Sequence, residues 1–96
     1  MSHLDEYATL FKALSDPLRL RLLDMLPDAG SECSLCVCEL ARKLGISQPC
    51  LSHHLNILKT AGVVGFRKDG CSAFYFVERD HVNRGLDSFR RGAEKR

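Results

Sequence analysis

Apolar residues recur along this chain with a helical period for about its first sixty positions and with an extended one only afterwards. Leu4, Tyr7, Ala8, Phe11 and Leu14 form a first stripe, with Asp5 and Glu6 in the opening turn, where the helix dipole favours acids. Ser15-Asp16-Pro17 breaks that pattern and starts another. Asp16 is the predicted N-cap, Pro17 takes the first helical position, and Leu18, Leu22, Met25 and Leu26 share one side. The turn-rich run from Pro27 to Ser31 leads to a third stripe of Val37, Leu40, Ala41 and Leu44. Gly45 stops that helix, Ser47 is the N-cap of the next, and Pro49 lies just inside it. The fourth stripe is Leu51, His54, Leu55 and Leu58, ended by Gly62.

After Gly62 the period shortens. Val63 to Lys68 and Ala73 to Val77 are rich in β-branched and aromatic residues, and Asp69-Gly70 between them signals a hairpin. Asp80 to about Ala93 restores helical spacing through Val82, Leu86 and Phe89. The predicted order is ααααββα, a mainly α fold with a two-stranded β wing, with residues 1–96 forming one domain. The third and fourth helices, joined by the short turn Leu44-Gly45-Ile46-Ser47, make a helix-turn-helix whose second helix can lie in a DNA major groove. The apolar seam of the last helix has no evident inner partner, so it is expected to meet the first helix across the two-fold of a homodimer.

The outward face of the fourth helix changes the picture from fold to function. Pro49, Ser52, His53, Asn56 and Thr60 cluster opposite the stripe, with Gln48 and Lys59 at its edge. A merely solvated helix usually carries Glu and Lys, whereas short polar donors and acceptors suit base edges and phosphate oxygens. No acid lies between Glu39 and Asp69. The formal net charge is only +2, but it is divided unevenly: residues 1–39 hold three basic residues against seven acids, residues 40–96 eleven against five. The basic half carries the candidate reading helix, as phosphate contact requires. Ser47, Gln48, Ser52, His53 and Asn56 are the expected DNA contacts on the helix, and Arg67 and Lys68 those on the wing.

No apolar run approaches the length of a membrane span, and MSHLDEY has neither a basic nor an apolar signal region, so a cytoplasmic protein is expected. Five cysteines, an odd number, argue for reduced thiols rather than a disulfide framework. Cys33, Cys36 and Cys38 form C-x-x-C-x-C at the start of the third helix. Placed on a regular helix, Cys36 and Cys38 lie roughly 100° from the buried stripe on opposite flanks, so neither belongs to the core. At those angles their thiols diverge and could grip one ion only if the first turn opened or tightened. A helix N-terminus lowers thiol pKa and is expected to supply thiolate at neutral pH. Three thiolates without a nearby His or carboxylate suit a trigonal thiophilic ion such as As(III) or Sb(III); zinc or cadmium would need a fourth ligand, and Glu39 reads as surface charge. Cys50 and Cys71 carry no such pattern.

The residues also carry a resemblance. Leu10 to Leu20 (LFKALSDPLRL), Cys36 to Leu40 (CVCEL), Ser47-Gln48-Pro49, Leu51 to Leu55 (LSHHL) and Leu58 to Val64 (LKTAGVV), in that order, resemble the ArsR–SmtB family of metalloregulatory winged-helix repressors over nearly the whole chain. The resemblance implies a homodimer joined by its first and last helices, repression by binding double-stranded operator DNA without a required cofactor, and release by a metal or metalloid inducer. Cys36 to Leu40 looks like the family's arsenic-type site, with Glu39 in place of Asp. Ala41 stands where that pattern often has a further cysteine, so a third thiolate comes from Cys33 or is absent. The zinc-type pattern on the last helix is missing, and Cys71 stands where the wing usually has Arg. The expected function is an arsenite- or antimonite-responsive repressor. A thiol redox or persulfide switch on the same fold is the alternative. A small thiol enzyme would need an acid/base partner near the thiols, and the sequence offers none.

Overall fold

The computed structural model describes residues 3–30, 36–70 and 72–94. Its elements follow the order α1 (His3–Leu14), α2 (Pro17–Met25), α3 (Val37–Leu44), α4 (Gln48–Thr60), β1 (Val64–Asp69), β2 (Ser72–Val77) and α5 (Arg79–Glu94). The helix boundaries are set by local chemistry. The Asp16 carboxylate accepts from the Leu18 and Arg19 amides at the start of α2, at 2.8 and 3.2 Å. Ser47 Oγ accepts from the Cys50 amide at the start of α4 at 3.2 Å. Gly45, with φ 69°, occupies the left-handed conformation that ends α3 and turns the chain into α4.

One core joins these pieces. Leu22 of α2, Leu40 of α3, Leu51, Leu55 and Leu58 of α4 and Val63 before β1 are fully buried around it. Leu10 and Ala13 bring α1 into this core. The expected α1 stripe is therefore corrected: Leu4 and Ala8 are exposed, and the helix divides its apolar residues between two partners. Tyr7 and Phe11 turn the other way and meet Phe89 of α5 edge-on, with ring centroids at 5.3 and 4.9 Å. Tyr7 Oη and Ser88 Oγ share a hydrogen bond of 2.7 Å. The seam of α5 thus has an inner partner after all, namely α1 of the same chain. The pairing leaves an apolar margin open, with Leu4 58%, Leu86 38% and the outer side of Phe89 40% exposed.

β1 and β2 are antiparallel, paired from Val64↔Val77 to Asp69↔Ser72. That register moves the turn one residue past the expected Asp69-Gly70: Asp69 still pairs, and Gly70 turns the chain with φ 64°. On the far side of β2, Phe74 forms a single antiparallel bridge with Cys36. The residue that opens α3 is therefore bridged to the wing.

Candidate thiol centre and nucleic-acid interface

The regular helix assumed for the thiols begins one residue too late to contain both of them. Cys36 is the N-cap of α3, with extended φ −76° and ψ 163°, and only Val37 and the residues after it are helical. An extended residue followed by a helical turn brings the two side chains together rather than apart: Cys36 Sγ and Cys38 Sγ are 2.8 Å from each other. The expected divergence is corrected by this one change of backbone conformation. Cys36 is half-buried and Cys38 exposed, and neither is in the core.

Glu39 belongs to the same cluster. The Cys36 thiol donates to Glu39 Oε1 at 3.3 Å, so Glu39 is a partner of the centre rather than a solvated charge. The signal for it lay in the spacing: cap residue, two positions, then Glu is the arrangement in which a helix-capping side chain and the third helical residue meet. No full side-chain capping hydrogen bond forms at Cys36; its sulfur meets Cys38 and the Glu39 carboxylate, and the nearby Glu39 amide only partly offsets the upward push on the thiol. The hydrogen bond with Cys38 pushes the Cys36 thiol above its ordinary range. The lowering expected from the helix dipole is outweighed at Cys36 by this contact with Cys38.

Cys33 and Cys71 lie outside the described residues. Among the described residues, no group of three or more His, Cys, Asp and Glu is gathered as a metal ion would require. What is present is a pair of sulfurs on one open edge. A soft ion bound to each sulfur at about 2.3 Å, the length of a zinc–thiolate bond, spans any pair up to about 4.6 Å apart. An ion with pyramidal or tetrahedral angles holds its two sulfurs roughly 3.4–3.8 Å apart, so Cys36 and Cys38, 2.8 Å apart, must separate by less than about 1 Å to grip it. They are farther apart than the 2.05 Å or so of a disulfide.

On α4, Gln48, Ser52, His53 and Asn56 are all exposed, together with Pro49 and Thr60. Ser47 is exposed as well, its oxygen engaged by the Cys50 amide while its own O–H remains free to donate. Arg67 and Lys68 are exposed on β1, and the Arg67 guanidinium lies 5.9 Å from the Phe74 ring centroid. Lys59 of α4 sets its Nζ 4.3 Å above the Phe66 ring of β1, a cation–π contact that ties the helix to the wing. His54, on the buried stripe where a packed, hydrogen-bonded histidine is expected, is half-buried, and its Nδ1 lies 3.2 Å from Arg19 Nη1, linking α2 to α4.

Two helices around a glycine turn, an exposed polar face on the second and a hairpin fastened beside it define a winged helix-turn-helix protein of the DNA-binding class. Residues 16–65 match the family described as bacterial regulatory protein, arsR family. The chain belongs to this family of DNA-binding transcriptional regulators, and it is not an enzyme. An uncharacterized HTH-type transcriptional regulator of Methanocaldococcus jannaschii is 45% identical over 82 residues, 85% of this chain and 89% of that protein. An arsenical resistance operon repressor of Staphylococcus xylosus is 40% identical over 85% of this chain and 78% of its own length. A cadmium resistance regulatory protein CadC homolog of Staphylococcus aureus is 38% identical over 80% of this chain, which spans 61% of that relative. In three dimensions, the homodimeric winged helix-turn-helix DNA-binding domain Mb0332 of Mycobacterium bovis superposes with a TM-score of 0.72 at 28% identity. That match covers 96% of this chain and 82% of the other.

Proposed function

We propose that this chain, acting as a single domain in the cytoplasm, is a homodimeric repressor whose operator binding is relieved by arsenite or antimonite at Cys36 and Cys38, with Cys33 as the third thiol. The observation that carries this reading is the 2.8 Å approach of the two sulfurs at the start of the helix that precedes the reading helix. Gln48, Ser52, His53 and Asn56 contact the operator from α4, Ser47 contacts phosphate at its start, and Arg67 and Lys68 meet the backbone from the wing. The apolar margin of Leu4, Leu86 and Phe89 on α1 and α5 supports dimerisation through that face. The Mycobacterium bovis relative is a homodimer in its own structure.

The raised Cys36 thiol favours a metalloid hydroxide over a divalent cation. Arsenous acid exchanges with a protonated thiol: an As–S bond forms, an As–O bond breaks, and the hydroxide leaves as water with the thiol proton. Cadmium or zinc must instead drive that proton into solvent, at a cost that grows as the pH falls. Arsenite carries the thiol protons away as water, so its affinity is expected to depend less on pH than that of cadmium, which releases them to solvent. A second reading, a redox switch, has the same sulfur contact in its favour: two adjacent thiols can give two electrons and two protons to a peroxide.

The test is titration of the reduced protein, bound to a labelled duplex from its own upstream promoter region, with arsenite, antimonite, cadmium, zinc and peroxide. Release by arsenite or antimonite, abolished in Cys36→Ser and Cys38→Ser, supports the metalloid repressor. Release by peroxide alone supports the redox switch, and release by cadmium or zinc overturns the metalloid preference.

A further inference from the structure

We infer that Arg19 is a positioning residue for the reading helix, holding α4 through a neutral His54 so that protonation of His54 weakens operator binding. The inference rests on α4 being the operator-contacting helix. Arg19 stands in the first turn of α2 with its side chain only 11% exposed. Its Nε donates to the Ala13 carbonyl at 2.7 Å and its Nη2 to the Lys12 carbonyl at 3.2 Å, both in the last turn of α1, where carbonyls lack helical partners. Its Nη1 reaches His54 Nδ1 at 3.2 Å. One planar cation therefore joins the end of α1, the start of α2 and the middle of α4.

The chemistry of the pair fixes the state of the imidazole. Arginine has no acceptor and keeps its charge, so Nη1 donates and His54 Nδ1 accepts, leaving the single imidazole proton on Nε2. A doubly protonated His54 cannot accept, and it would set a second cation against the guanidinium. The groups that face the imidazole are Arg19 and Asp16 from α2 and His53 on α4, while the Lys12 and Ala13 carbonyls of α1 hold the guanidinium. Asp16 Oδ2, at 4.0 Å from Arg19 Nη1, is the nearby acid, and it is already engaged as the cap of α2. His54 is adjacent to His53, their ring centroids 5.7 Å apart, and His53 lies on the exposed face. A shift of His54 away from Arg19 therefore displaces a side chain that faces the operator.

The two histidines give opposite signs, which makes the inference testable. Protonating the outward His53 adds positive charge beside phosphate and strengthens binding; protonating His54 breaks the link and weakens it. Operator affinity is measured between about pH 8 and about pH 5.5 at fixed salt, the range in which histidine changes charge. The chains compared are His53→Gln, His53→Gln with His54→Asn, and His53→Gln with His54→Leu, each checked for folding by circular dichroism. The His53→Gln chain is expected to lose about tenfold in affinity on acidification, the scale of one hydrogen bond to a charged group. Asn at 54 places an amide oxygen where Nδ1 stood, so it should restore the pH 8 affinity and abolish the acid loss. Leu should bind about tenfold more weakly at both ends of the range. An acid loss that persists with Asn at 54, or Leu binding as tightly as Asn, would overturn the inference. If no chain binds the duplex, the operator reading fails instead, and nitrogen NMR of the His54 ring decides the link: a proton on Nδ1 at about pH 8 overturns it.

Discussion

The two helices of the helix-turn-helix begin in opposite ways. At the start of α4, Ser47 Oγ accepts an amide hydrogen bond and Pro49 fixes the backbone, so α4 is closed by the interactions that stabilise helix starts in general. At the start of α3 the cap position is held by Cys36, which makes no full side-chain capping hydrogen bond and whose sulfur meets Cys38 and Glu39. One start is built to stay in place. The other gives up a capping bond to keep two sulfurs together, and its backbone is bridged to Phe74 in the wing. A ligand that takes both sulfurs acts where the start of α3 meets the wing.

The largest expected effect comes from making the two starts alike. Cys36→Ser places a good capping hydroxyl on α3 while removing a sulfur. Arsenite release of the operator should be lost, with the effective inducer concentration rising at least about 100-fold, while thermal stability rises by about 1 kcal/mol. A Cys36→Ser chain that still responds to arsenite would break the contrast between the two starts. Next in size is Leu55→Ala in α4, which empties a fully buried site shared by the helices of the core. It should cost about 2–5 kcal/mol in denaturant unfolding, whereas Leu4→Ala on the exposed end of α1 should change monomer stability far less.

Ser47→Ala removes the cap that α3 lacks and α4 has. A loss of about 1 kcal/mol is expected, together with weaker operator binding from a frayed first turn. The smallest effect concerns Asp16. Its carboxyl lies below its ordinary range, chiefly because the Arg19 amide donates to the charged form. A lowered folded-state value contributes stability that is present above the unfolded value and lost as pH falls through the folded one. Asp16→Asn keeps an acceptor without a titration, so its melting temperature should fall less than that of the unaltered chain below about pH 4.

The sequence pattern carried most of this fold because its punctuation is chemically explicit. Asp16-Pro17, Gly45, Ser47-Pro49 and Gly62 mark their boundaries by groups with one strong local preference each, and the structure uses all of them. The start of α3 was hidden for the converse reason: cysteine has no marked capping preference, and periodicity alone extends a helix through Cys36. The two-sided packing of α1 was hidden because its apolar residues serve both the core, through Leu10 and Ala13, and α5, through Tyr7 and Phe11. The Arg19–His54 link spans 35 residues and follows no period, so only the folded chain brings it together. The exposure of Gln48, Ser52, His53 and Asn56 on α4 was legible, since it follows from the stripe opposite them.

Reciprocity gives the most direct measurement of thiol control over operator binding. Arsenite affinity is determined for the reduced free protein and for the protein saturated with operator duplex, from the near-ultraviolet absorbance of the arsenic–sulfur bonds. Operator affinity is then determined with and without saturating arsenite. Operator should weaken arsenite binding by the same factor by which arsenite weakens operator binding, and both factors should collapse to one in Cys38→Ser. Equal arsenite affinity in the free and operator-bound protein would contradict the coupling between the Cys36–Cys38 pair and the reading helix.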